Sequence, residues 1–559
     1  KSERRVALDE CAAERQAKGQ LHIVSWNVAG WRTTIEQINR FQGGLQTFME
    51  RHAIDILCIQ EVKLSSKAIA AQPIILGADL KGFDTFWACN EGSGQQRHGL
   101  NGVATFARKG LVRRADAAPL QHTELDAEGR CVMTDHGAFV IFNVYVPNSS
   151  GGVRVPFKLR WLRALRTAMQ RARAVGKGVV LAGDLNMTHR AADSHWSVRS
   201  VDVGRLLRLR HADTLEADVR EAIDGIHSAW PAVEEALRQK DVRPIETRNS
   251  QTGQTFKKFS VYARRCKDGE FVRIGHPQDW EEDARLTFCV DGIGIDGNGH
   301  YVLGGERMEE CDVIVHKPGM INVSNLMGCL KALVGLDLDE RMRQRLSDML
   351  GERGASMPVR AWLDAVLSED HMADSFLKFH SAAMERFTCW DQYRNKRFEN
   401  VGARIDYILI DNNLLEKHAS KGECNLATWG SHDAASPQAA LAAATLGGLS
   451  EAVGYEGGGL KPLKEDEYVQ MFRADQLGPS TGMIYTPPQL SDHIAVSLLL
   501  QGVQLGGDLA RGEHSLIKDA ATKQCQPQYS VKRMTDFFAR KPSKEGELVQ
   551  PPAKRQAVR

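Results

Sequence analysis

Apolar positions come in short bursts along this chain, and most bursts close on, or open from, a polar turn. Leu21 to Asn27 alternates with a period of two and ends in a polar turn, which predicts a half-buried strand. Ile54 to Gln60, Gly102 to Ala107, Phe139 to Val146 and Gly178 to Ala182 are apolar runs of strand length, and Asp184 falls just beyond the last. Ala403 to Ile410 and Ile494 to Leu500 repeat the pattern with polar residues at their starts. Helical spacing covers Ile35 to Arg51 and Pro156 to Val175, the second with a basic face. Strands interleaved with helices predict a layered α/β fold whose sheet rims carry the polar residues; strand order is not legible.

Two stretches break the rhythm. Residues 249–318 are rich in Gly, Asp and Lys and read as an insertion, with strand-like pieces such as Phe288 to Val290. Residues 431–459 are Ala- and Gly-rich, with too few large side chains to bury much, and read as a long loop. Periodicity fades after 507, and residues 518–559 carry ten Lys or Arg against four Asp or Glu, predicting a disordered basic tail. The expected organisation is therefore an N-terminal extension over 1–20, a catalytic domain over 21–506 and the tail over 507–559.

Composition narrows this only slightly. A net charge of +2 announces no nucleic-acid binder, although a local basic face remains compatible with it. The eleven cysteines are scattered without any CxxC, which argues against a disulfide framework or zinc site and for an intracellular setting. No run of apolar residues is long enough to span a membrane, and the first twenty residues lack the apolar core of a signal peptide.

The chemistry sits at the strand ends. Glu61 follows a buried run and could hold a hard cation such as Mg²⁺, or could simply cap a helix. Asp184 and Asn186, two apart beyond Gly183, can aim at one point to orient water, or can form an Asx turn. Asp492-His493 opens a strand; His493 needs an orienting partner, and Asp406 is the candidate. Tyr145 and Asn148 could donate to a phosphate oxygen, although a core tyrosine with a satisfied hydroxyl is the commoner case; Asn27 shares that ambiguity.

Together these motifs resemble the exonuclease III branch of the endonuclease/exonuclease/phosphatase superfamily, the class II apurinic/apyrimidinic (AP) endonucleases. The matching segments are WNVAG at 26–30, IQEVK at 59–63, GLNGVA at 99–104, YVPN at 145–148, GDLNMTH at 183–189, ADSF at 373–376, the long stretch at 387–409 and SDH at 491–493. The resemblance implies a four-layered α/β sandwich with one metal-centred site, loaded with Mg²⁺ or alternatively Mn²⁺. It makes Glu61 the principal metal ligand with Asn27 and Asp492 nearby. Asp184 would activate water that Asn186 helps to place. Tyr145, Asn148 and His493 would contact the scissile phosphate, with Asp406 holding His493. Arg404 and Trp390 would lie near DNA-facing loops. One departure is Ala29, where family members carry Asp or Asn beside the metal.

The insertion and tail point to the second eukaryotic type within that family, AP endonuclease 2. Met534, Phe537 and Phe538, within 531–538, resemble the apolar anchors of a box that binds the sliding clamp PCNA, with Val531 where Gln is usual. Pro552 to Arg555 hints at nuclear import, with mitochondria as the alternative address. After 507, Cys525 stands alone, too few ligands for the zinc finger usual in that type. The implied activity is metal-dependent cleavage of duplex DNA at AP sites, or resection and cleaning of recessed or damaged 3′ ends. Rival readings are an inactive clamp-tethered scaffold, a phosphatase acting on small molecules and an RNA-directed nuclease of the same fold.

Overall fold

The structure is a computed structural model. It describes Arg15 and residues 19–529 apart from 42, 91–98, 149–153, 203–205, 208–214, 249–252, 254, 276–292, 296–300, 304–305, 308–319, 353–356, 382, 384–385, 394–395, 398–399, 423–454, 457–458, 461–478, 485, 487 and 506–515. Met534, Phe537, Phe538, the 552–555 basic run, Phe288 to Val290 and nearly all of 431–459 lie outside the described residues.

Two sheets face each other. The first is built from β1 (Gln20–Asn27), β2 (Ile56–Gln60), β3 (Phe83–Ala88) and β4 (Val103–Arg108). The second takes the next strands, β5 (Arg114–Asp116), β6 (Cys131–Asp135), β7 (Phe139–Tyr145) and β8 (Gly178–Asp184). An inserted hairpin sheet follows, with β9 (Asp241–Arg248), β10 (Thr255–Arg264) and β11 (Phe271–Gly275). The chain then returns through β12 (Met372–Asp374), the short pair β13 (Cys389–Trp390) and β14 (Gly402–Ala403), β15 (Asp406–Asp411), β16 (Ala419–Ser420), β17 (Gly482–Ile484) and β18 (Ala495–Gln501). The first sheet runs β16-β18-β1-β2-β4-β3, with β17 on β18; the second runs β12-β15-β8-β7-β6-β5.

The layers follow from side-chain alternation along each strand. Ile23, Ile56 and Cys58 of the first sheet meet Ile141, Val180, Ala182 and Ile408 of the second. Val24, Leu57 and Ile59 point the other way, onto α1 (Trp31–Phe41) and α2 (Leu45–Arg51). Outside the second sheet, Leu181 and Leu409 pack on α3 (Val155–Ala174) and, through Leu363 and Val366, on a later helix at Met357–Ser368. The result is helix, sheet, sheet, helix: the four-layered α/β sandwich. The single helix expected over Ile35 to Arg51 is broken at Gly43 and Gly44, whose φ of 76° and 104° end α1 and restart the chain as α2.

Two parts of the organisation differ from expectation. The strands at Thr255–Arg264 and Phe271–Gly275 belong to a larger unit with its own apolar core, running from Leu206 to Leu346 and including helices at Ala217–Arg238 and Val323–Val334. Residues 516–529, read above as the start of a disordered tail, carry a helix at Asp519–Gln524 and dock on the sandwich. Trp87 donates its backbone N–H to Cys525 O at 2.7 Å, the Ala115 N–H reaches Thr522 Oγ1 at 3.0 Å, and Cys525 is fully buried. A lone buried cysteine and Ile517 supply the packing, without any periodicity to reveal it.

Candidate active site

The register of the strands brings the polar ends to one rim. In the first sheet β1 and β2 run parallel with Asn27 opposite Gln60, so Asn27 and Glu61 emerge side by side. In the second, β7 and β8 run parallel with Tyr145 opposite Asp184, and β15 runs antiparallel with Asp406 opposite Asp184. β18 is antiparallel to β1 and therefore begins, just after His493, at the same rim. Gly183 makes the β7–β8 approach possible: its φ is 149°, and a Cβ there would lie 1.9 Å from Val144 O.

One side chain ties the two sheets together at this rim. Asn27 Nδ2 donates to Glu61 Oε1 at 3.0 Å and to Asp184 Oδ2 at 2.9 Å, while its Oδ1 accepts from the Ala29 N–H at 3.0 Å. Asn27 thus holds two carboxylates through its amide N–H groups, and its carbonyl is turned to the Ala29 backbone. Glu61 Oε2 sits 2.8 Å from Lys63 Nζ, which also donates to Ala29 O at 2.8 Å. Burial works against charge on Glu61, but hydrogen bonds from Lys63 and Asn27 outweigh it and hold its pKa below the usual range. Ala29, Glu61, Lys63 and Asn186 all take left-handed backbone, with φ between 49° and 54°. Such strain in non-glycine residues gathers at functional sites.

Asp184 is 1 % exposed and fully engaged. Its Oδ1 accepts the Asn186 N–H at 2.8 Å, and Asn186 Nδ2 reaches its Oδ2 at 3.3 Å. Burial and the neighbouring Asp406 carboxylate push Asp184 up to about 7, against the pull of His493. A carboxyl poised there can exchange a proton with water near neutrality. Exposed Asn148 donates to Asn186 Oδ1 at 3.2 Å. Beneath it, buried Lys158 donates to Asn186 O at 2.7 Å, and burial pulls its ammonium down to about 7. Tyr145 also hydrogen-bonds Glu61; burial and the Glu61 and Asp184 charges raise its phenol far above the ordinary value, so it remains a donor.

Asp406 and His493 form the second half. His493 Nδ1 and Asp406 Oδ2 are 2.8 Å apart, both buried. Burial alone would depress the imidazole, but Asp406 and the Cys389 sulfur raise it well above its usual value, favouring imidazolium. Asp406 Oδ1 is buried with no hydrogen-bond partner, and Asp184, Asp406 and His493 offer ligand atoms within 4.8 Å of one another. An orphaned carboxylate oxygen in an acidic cluster, which Asn27 links through Asp184 to Glu61, fits a hard divalent cation. Asp492 falls with Cys389 and His493 in a second such group. Ser491 Oγ fixes this turn, donating to Asn27 O at 2.7 Å and accepting the His493 N–H at 3.1 Å.

Arg404 and Trp390, which the resemblance sets near DNA-facing loops, are both buried side chains. Arg404 is 1 % exposed; its Nε donates to Asp193 Oδ1 at 3.0 Å and its Nη1 to Asp374 Oδ2 at 2.6 Å. Trp390 is 2 % exposed and donates Nε1 to Asn400 Oδ1 at 3.2 Å. Arg404 is held inside because two buried aspartates demand the guanidinium more strongly than solvent does. Lys63, Cys389, Lys158 and the buried pair Gln60–Asn143, 2.8 Å apart between the sheets, had no role in the sequence reading. Lys63 and Cys389 stand inside recognised motifs, whereas Lys158 looks like any basic helix residue.

The model of the Endonuclease/Exonuclease/phosphatase family matches residues 24–431. DNA-(apurinic or apyrimidinic site) endonuclease 2 of Homo sapiens is 26 % identical over 222 residues, covering 33 % of this chain and 41 % of that protein. The Bos taurus protein of the same name is 25 % identical with the same coverage. Recombination repair protein 1 of Drosophila melanogaster is 29 % identical over 186 residues, 33 % of this chain and 25 % of that protein. The chain thus matches less than half the length of these curated relatives. Among solved structures, the Xenopus laevis APE2 catalytic domain aligns at 18 % identity and TM-score 0.37, covering 72 % of this chain and 85 % of that one. AP endonuclease LMAP from Leishmania major aligns at 14 % identity and TM-score 0.42, covering 87 % and 88 %. With the family model matching well over half of the chain, the chain belongs to the endonuclease/exonuclease/phosphatase family.

Proposed function

We propose that this chain is a metal-dependent DNA phosphodiesterase of repair, cleaving 5′ to AP sites or processing recessed and damaged 3′ ends. The carrying observation is the Asn27 bridge between Glu61 and Asp184 at 3.0 and 2.9 Å, with the Asp406–His493 pair beside it. The AP endonuclease names of the relatives supply the substrate class, and the resemblance to the second eukaryotic type tilts the reading toward 3′-end work.

Glu61, with Asn27 and Asp492 nearby, would hold Mg²⁺ or Mn²⁺, which supplies charge neutralisation at the phosphate. Asp184 takes the proton of the attacking water, positioned by Asn186, whose backbone N–H and amide both fix the carboxylate. His493 as imidazolium and Tyr145 as a neutral phenol donate to the non-bridging oxygens as charge gathers there, and Asn148 adds a third donor. Asp406 keeps His493 charged and oriented. In the tail, Met534, Phe537 and Phe538 would anchor to a sliding clamp, and the basic run would direct the protein to the nucleus.

Two observations favour a second reading, a weak or inactive DNA-binding scaffold: Ala29 brings no carboxylate, and Lys63 is paired with Glu61. Purified protein on a duplex with an internal abasic analogue and on one with a recessed mismatched 3′ end, with and without EDTA, separates them. Metal-dependent cleavage supports the enzyme; binding without cleavage supports the scaffold.

A further inference from the structure

Cys389 touches no reacting atom in the proposed hydrolysis, yet it stands against its centre. β13 forms an isolated antiparallel bridge to the SDH turn, Cys389 opposite His493, and the thiol hydrogen-bonds the imidazole. Cys389, Asp492 and His493 offer ligand atoms within 4.8 Å of one another, with Cys389 and Asp492 half-buried. The remaining imidazole nitrogen, Nδ1, is held by Asp406 Oδ2 at 2.8 Å. A carboxylate on the far nitrogen of a histidine is what fixes ring orientation and raises basicity in metal-ligating histidines.

We propose that Cys389, Asp492 and His493 Nε2 form a site for a thiophilic divalent ion of the Zn²⁺ kind, and that its occupancy shuts the centre. The donor set is thiolate, imidazole and carboxylate with a fourth position open to water, the tetrahedral preference of Zn²⁺ and a poor match for Mg²⁺, which wants oxygen alone. Binding forms the Cys389 Sγ–metal bond, and the thiol proton and the extra imidazolium proton leave to solvent. His493 then has neither a charge nor a free N–H to offer a phosphate, and Asp492 is withdrawn from the Glu61 side. The inhibitory half rests on the phosphodiesterase reading; the binding half does not.

The test uses the full chain, stripped with EDTA and desalted, with Co²⁺ as the spectroscopic probe. Wild type should give a near-ultraviolet thiolate-to-cobalt charge-transfer band at one equivalent, displaced by Zn²⁺ but not by excess Mg²⁺. Cys389→Ala and Cys389→Ser should lose it, and Cys266→Ser, altering an exposed thiol of the inserted unit, should keep it. In the cleavage assay, inhibition of Cys389→Ala should need at least about tenfold more Zn²⁺ than wild type. Absence of the band in wild type, or a band of equal strength in both folded Cys389 variants, overturns the site. A band that depends on Cys389, in a protein that cleaves neither duplex, upholds the site and overturns the phosphodiesterase reading with its inhibition.

Discussion

Asp184 and Arg404 are both buried charges, and the structure uses them in opposite ways. Arg404 is neutralised by Asp193 and Asp374. Replacing it with Met strands two buried carboxylates, so Arg404→Met should cost about 3–5 kcal/mol in urea unfolding. Asp184 is instead left in tension with Asp406. Its folded pKa, about 7, lies above its unfolded value. Its contribution to stability is therefore present at low pH and lost as pH climbs through about 7. Asp184→Asn should raise Tm most above that pH, with the gain shrinking toward pH ~4. The same substitution should lower cleavage at least ~10²-fold. In wild type the rate should climb with pH until Asp184 is ionised near 7, and that limb should vanish in Asp184→Asn. A scan of rate and Tm from pH ~5 to ~8.5 reads both effects.

At the scale of elements, the site is made by register: strands ending or beginning at one rim deliver Asn27, Glu61, Tyr145, Asp184, Asp406 and His493 together. Gly183→Ala would drive a methyl into Val144 O and should cost about 3 kcal/mol, read in thermal or urea unfolding. The strands themselves were legible, because an apolar run that ends in a polar turn is written locally; β8 is extended only as far as Asp184 itself. Their neighbours were not, since pairing depends on contacts hundreds of residues apart, such as the Asp406–Asp184 register. The same limit explains Arg404: the resemblance sets it near DNA-facing loops, and only Asp193 and Asp374 arriving from elsewhere make it internal. The brace from Lys158 was invisible for the opposite reason, because a lysine in a helix with a basic face gives no hint that its ammonium is buried.

At the scale of the molecule, the sandwich carries two additions. The unit built on Leu206 to Leu346 has its own core. The segment 516–529 closes over β3 and β5, with Arg114 paired to Asp519 and Gln528 Nε2 on Thr85 O at 3.1 Å. A chain ending after 529 should keep the wild-type Tm. One ending after 515 should melt several degrees lower, because it exposes the Trp87 N–H on the sheet edge and vacates the Cys525 pocket. Clamp binding, if carried by 531–538, should be lost from both truncations. The proposed phosphodiesterase depends above all on the Asp184 carboxylate. The direct measurement is cleavage of the abasic and recessed-3′ duplexes by wild type and Asp184→Asn in Mg²⁺, with EDTA controls and binding followed in parallel. Wild type should cleave in a metal-dependent way, and Asp184→Asn should lose that cleavage with DNA binding retained. Equal cleavage by the two proteins, or none by wild type that still binds DNA, would contradict the proposal.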